Sequence, residues 1–106
     1  MINTKEILKI NKKLGGTLIR DSSINFAEDY CSMNISKDKC MAMFVRAIII
    51  DHPFTDGNKR TALLVIELFK KIKSQKKMSK ALIRIAQKNI IDINKIIEVI
   101  NNANIL

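Results

Sequence analysis

Two stretches of this chain are apolar nearly all the way round, and only a short polar segment divides them. The first holds Cys40 to Val45 and Ala47 to Ile50, with Arg46 the one interruption. The second holds Ala62 to Ile66, Leu68 and Phe69, interrupted by Glu67. A helix with no polar face belongs in the middle of a domain. The first run must stop by Asp51 or His52, because the residue before Pro53 is pushed out of the helical region. The pattern therefore predicts two central helices joined by a loop over His52 to Asn58, with the rest of the chain packed around them. Neither run approaches the ~20 apolar residues that a membrane span requires.

The remainder also reads as helix, so the expected class is all-α. There is one Pro and there are three Gly in 106 residues, and no sustained period-2 alternation. Asn3 to Leu14 carries Ile7, Leu8 and Leu14 among lysines, and Gly15-Gly16 breaks that helix. Thr17 to Arg20 is a short β-prone stretch. Asp21 to Ser23 offers N-cap candidates for a helix through Phe26, Ala27 and Tyr30. Past Ile72, Lys73 to Lys80 reads as a polar break, with Ser79 expected to cap a helix through Leu82, Ile83, Ile85 and Ala86. Asp92 caps the last helix, whose stripe Ile93, Ile96, Ile97, Ile100 follows i, i+3, i+4, i+7. With no repeat and no linker, residues 1–106 read as a single domain with one core.

Nineteen Lys and Arg against ten Asp and Glu give a net charge of +9. A small basic domain suggests nucleic acid first. The best support is Lys70, Lys71, Lys73, Lys76, Lys77 and Lys80, with no acid between them. No aromatic interleaving or recognition-helix pattern accompanies these lysines, and they read instead as a solvated helix end, where cations suit the negative dipole. Nucleic-acid binding therefore stands as the rival function, not the main one. Cys31 and Cys40 have no companions at zinc-ligand spacing. They are expected to be reduced core cysteines of a cytoplasmic protein, with a disulfide as the lesser alternative. Met1 to Glu6 lacks the apolar run of a secretory signal, in keeping with a cytoplasmic location and no membrane partner.

Most of the unusual residues fall in the loop between the two apolar runs. His52-Pro53-Phe54-Thr55-Asp56-Gly57-Asn58-Lys59-Arg60 contains the chain's single His and single Pro, then a Gly-Asn turn that opens a helix. Backbone amides at a helix N-terminus point outward and favour an anion. Gly57 lets a phosphate approach the backbone, Asn58 can donate to a phosphate oxygen, and Lys59 and Arg60 add charge. Asp56 is placed as a ligand for Mg²⁺, which takes one or two carboxylates plus phosphate oxygens. The imidazole of His52 can take a proton from an incoming hydroxyl. Taken singly, each has a plainer reading: a surface His, an ordinary Asp-Gly-Asn turn, two solvated cations. Phe54 is a hydrophobic anchor on either view.

His52-Pro53-Phe54-x-Asp56-Gly57-Asn58-x-Arg60 resembles the signature of the Fic/Doc family, enzymes that transfer part of a nucleotide to protein hydroxyls. The continuation Lys59-Arg60-Thr61-Ala62-Leu63 resembles the Doc branch, the death-on-curing toxins of toxin–antitoxin systems. Gly15-Gly16 with Arg20-Asp21 is loosely similar to a glycine-rich and Arg-Asp segment of those proteins. The resemblance implies a compact all-α Fic core with the loop between its central helices, and ATP and Mg²⁺ as cofactors. It implies that His52 is the general base and Asp56 the Mg²⁺ ligand, that Gly57 and Asn58 form the anion hole, and that Arg60 binds phosphate. A β-hairpin flap in this family aligns the target by strand addition, and Thr17 to Arg20 is the one β-prone candidate for it.

Lys59 stands where AMP-transferring Fic enzymes usually have Gly, and Leu63 where they have a second Arg. Both departures favour Doc-like phosphoryl transfer, a protein kinase activity, while Pro53 follows the longer Fic pattern and keeps adenylylation as the alternative. The resemblance extends to partners. Doc-like relatives modify a translation elongation factor, and the sequence carries no inhibitory Ser/Thr-to-Glu helix pattern, so a Phd-like antitoxin acting in trans is expected beside the target protein.

Overall fold

The computed structural model describes residues 2–105. Among the described residues six helices follow one another: α1 (Thr4–Lys13), α2 (Ser22–Cys31), α3 (Lys37–Ile49), α4 (Asn58–Phe69), α5 (Gln75–Gln87) and α6 (Ile93–Ala103). The class is all-α, as expected. α3 is the central element and packs against α2, α4, α5 and α6. Cys40 to Val45 and Ala47 to Ile49 are all buried on it. Phe44, Met41 and Ile48 are completely enclosed, and each such side chain contributes about 1.5–3 kcal/mol by leaving water. α4 is more one-sided than its composition suggests. Thr61, Ala62, Val65 and Ile66 are buried against α1, α3 and α5, while Leu68 is exposed.

Helix starts follow local chemistry. Asn3, Ser36 and Asp92 each accept a hydrogen bond from the amide three residues on, in α1, α3 and α6. Such a cap contributes about 1 kcal/mol. Asp21 sits at the N-cap of α2 but its side chain makes no capping bond. The expected start of α5 needs correction. Ser74, not Ser79, is the cap, with extended backbone and its side chain accepting from the Lys77 amide. Ser79 lies inside the helix, because the buried stripe begins a turn earlier, as Met78, Ala81, Leu82 and Ile85.

The cysteine reading is corrected as well. Cys31 closes α2 and Cys40 lies in the first turns of α3, and the short connection between them brings their Cα atoms to 5.1 Å in a disulfide. Both are buried, so the bond clasps α2 to α3 from within the core, and the expectation of reduced thiols no longer supports a reducing compartment. Among the described residues no helix is long and apolar enough to cross a membrane.

The lysine-rich segment divides. Lys70 ends α4 and reaches Asp38 at 3.1 Å and the Asn101 amide oxygen at 2.7 Å, tying α4 to α3 and α6. Lys76 and Lys77 are not at a helix C-terminus. They occupy the first turn of α5, where the dipole disfavours cations.

Candidate active site

The connection from α3 to α4 is held on both sides. After α3, the Asp51 carbonyl accepts from the Arg20 guanidinium at 3.0 Å. His52 follows with a backbone φ of +48°, a left-handed conformation uncommon outside glycine. Its side chain is exposed, while Pro53 and Phe54 are buried. Phe54 is 2% exposed, so the expected anchor is in place.

The segment Thr17 to Arg20 lies along the loop. Ile19 donates its amide to the Pro53 carbonyl at 2.7 Å, and Thr55 donates to the Thr17 carbonyl at 2.9 Å. Leu18 and Phe54 form one isolated antiparallel bridge. The β-prone stretch thus pairs with the loop itself, and no strand forms among the described residues.

Asn58 fixes the loop from its other end. Its side-chain amide donates to the Phe54 carbonyl at 2.9 Å, and its carbonyl oxygen accepts from the Phe54 amide at 3.2 Å. The side chain is thereby engaged within the loop.

α4 opens on Gly57 with φ of +75°, and no side chain caps the helix. Its first backbone bond runs from the Thr61 amide to the Gly57 carbonyl. The amides of Asn58, Lys59 and Arg60 precede that bond, and such groups have no intrahelical acceptor. An uncapped N-terminus with three outward amides, flanked by Lys59 and Arg60, suits an anion.

Asp56 accepts the Gly57 amide on Oδ1 at 2.8 Å, while its side chain stays exposed. Among the described residues no cluster of three metal-ligating side chains exists.

His52, Asn58 and Lys59 line one cavity of about 190 Å³, whose far wall is Leu82, Ile83 and Ala86 of α5. Asp56 and Gly57 lie on the opposite side, toward α1, and Arg60 stands exposed on the first turn of α4. The expected site residues are therefore gathered around one helix end, with three of them sharing the apolar cavity.

Sequence reading missed Asn11. This residue of α1 is 1% exposed. Its amide donates to the Asp56 carbonyl at 2.8 Å and to the Thr61 hydroxyl at 3.1 Å, joining the loop to the first turn of α4. The signal was a polar residue inside the apolar series Ile7, Asn11, Leu14. Gly16 completes the arrangement. A Cβ there would stand 2.6 Å from the Asp56 carbonyl oxygen and collide with the Asn11 side chain. The glycine at this position is needed for close approach.

Searches of curated proteins and of solved structures return no match to this chain. The model of the Fic/DOC family matches residues 3–70, from the cap of α1 through the loop to the end of α4. That span is well over half of the 106 residues; the chain belongs to the Fic/DOC family, and its general role is that of a nucleotide-using transferase.

Proposed function

We propose that this chain transfers the γ-phosphoryl group of Mg-ATP to a hydroxyl side chain of a target protein, as a Doc-like kinase. The observation that carries this reading is the uncapped start of α4 beside His52, with Lys59 in the same cavity as the histidine. Phosphate oxygens dock on the amides of Asn58, Lys59 and Arg60, with Gly57 leaving room for their approach. The side chains of Lys59 and Arg60 offset the phosphate charge, and Asn58 keeps the loop in register through Phe54. His52 accepts the proton of the target hydroxyl. The hydroxyl oxygen bonds to the γ-phosphorus while the bond to the β-phosphate oxygen breaks and ADP leaves. Asp56 would hold Mg²⁺ through its carboxylate, and the ion would neutralise charge on the phosphate oxygens.

Lys59 favours this orientation, because its long cationic side chain fills space that a small residue would leave for an α-phosphate. Pro53 favours the second reading, adenylylation, in which the α-phosphorus is attacked and pyrophosphate leaves. In either case the reading includes a hydroxyl-bearing target, a translation factor by family resemblance, and a Phd-like antitoxin that restrains the enzyme.

Incubating the chain with Mg²⁺, cell extract and ATP labelled at either the α- or the γ-phosphate separates the two. Protein label from γ alone, abolished by His52→Ala, is the expected result. Label from α establishes adenylylation instead. Equal labelling by wild type and His52→Ala contradicts the role given to the histidine.

A further inference from the structure

α5 presents two faces. Leu82, Ile83 and Ala86 wall the cavity beside His52, while Lys77, Lys80 and Arg84 face away from it, toward α6. Between α5 and α6 lies a groove of about 340 Å³. Its rim is cationic on balance, with Lys77, Lys80 and Arg84 on one helix and Lys95 on the other against the single carboxylate of Glu98. Its floor is small and apolar, made by Ala81, Val99 and Ala103.

The rim charge is largely uncompensated. Among the described residues the ion pairs are Lys70 with Asp38 and Lys95 with Glu98. The second, at 3.9 Å between two side chains more than half exposed, is worth little. Lys77 is steadied at the groove end by the Ile105 carbonyl, at 3.3 Å. Folding gives no reason for this arrangement, since Lys76 and Lys77 oppose the helix dipole at the start of α5 and no acid sits in that turn. The family match, which ends at residue 70, does not reach it either.

We propose that the α5–α6 groove docks an acidic, amphipathic polypeptide segment of a partner protein. The rim residues Lys77, Lys80 and Arg84 recur at i, i+3 and i+7 and span roughly 10 Å of helix, two turns. Carboxylates at matching spacing on a partner helix meet that ladder, and its apolar residues seat on the Ala81, Val99 and Ala103 floor. A nucleic-acid strand fits the same charges less well, because base stacking needs aromatic platforms and no aromatic residue lines the groove. The inference stands apart from the transferase reading, since none of these residues is at the α4 N-terminus.

The test is fluorescence anisotropy of a labelled synthetic helical peptide, with Leu at helical spacing and Glu elsewhere, against the full chain. The peptide should bind wild type, weaken as salt rises, and lose about tenfold or more in affinity on Lys80→Glu with Arg84→Glu. Lys12→Glu with Lys13→Glu makes the same charge change on exposed positions of α1 and should leave binding nearly unchanged. Circular dichroism establishes that both variants are folded. Absence of peptide binding overturns the proposal, as does equal weakening by the α1 pair. A single-stranded oligonucleotide that binds more tightly and displaces the peptide also overturns it. His52→Ala, expected to abolish transfer, should leave peptide affinity as it is.

Discussion

At the level of single residues, the loop depends on a few side chains whose hydrogen bonds all stay within the fold. Asn11 is the most exacting of them. It is buried, and its amide supplies hydrogen bonds to both the Asp56 carbonyl and the Thr61 hydroxyl. Asn11→Ala strands the buried Thr61 hydroxyl and takes the partner from the half-buried Asp56 carbonyl, at a cost of about 1–3 kcal/mol. It also frees the loop that positions Asp56. We expect thermal unfolding to fall by that amount and the Mg²⁺ concentration needed for half-maximal transfer to rise. Unchanged Mg²⁺ dependence in a folded Asn11→Ala protein would show that the residue only stabilises. Asn58 is similar in kind, because its side chain clamps Phe54 at both backbone atoms. The loop residues proposed to meet a nucleotide were legible in the sequence because their types are chemically unusual and adjacent. Asn11 was not, because its partners lie 45 and 50 positions away and only the packing of α1 on α4 unites them.

At the level of elements, α3 was legible because a helix apolar on nearly every face has nowhere to go but the centre; α4 was legible as a helix, but its apolar run hid that only one face of it is buried. α6 was legible because Asp92 precedes a clean apolar stripe. α5 was misjudged at its start, since the lysines around Met78 hid the first buried turn and Ser79 looked like the better cap. Ser74 wins because its backbone is extended and Met78 must face the core. The Thr17–Arg20 stretch was legible as β-prone, but its partner, the Pro53–Thr55 loop, depends on the tertiary path. The disulfide between Cys31 and Cys40 closes a loop with a separation of 9 residues. By chain-entropy reasoning a loop of that size contributes about 2–3 kcal/mol. Cys31→Ser with Cys40→Ser should therefore lower Tm by roughly 10–20 °C. The same drop should follow addition of reductant to wild type, and a Tm unmoved by both treatments would mean that the bond adds no stability.

At the level of the whole molecule, the six helices share one core, and the family match does not exhaust it. Met78, Leu82, Ile85, Ile96 and Ile100 are fully enclosed beyond the matched span, so α5 and α6 complete the packing around α3. Two groups of cations in this chain of net charge +9 have different chemistry. Lys59 and Arg60 flank the amides at the start of α4, and the α5–α6 rim holds a second group. The first was expected from the motif. The second came from an arrangement of helices that no linear run of lysines describes, since Lys95 joins it from α6 and Lys70 leaves it for Asp38. The central claim is that the uncapped start of α4 is where nucleotide phosphate docks. Titrating the ¹⁵N-labelled chain with Mg-ATP and following its amide resonances tests this directly. The largest shifts should fall on Asn58, Lys59 and Arg60, with His52 moving beside them. Shifts confined to α5 and α6, or none at saturating nucleotide, would contradict it.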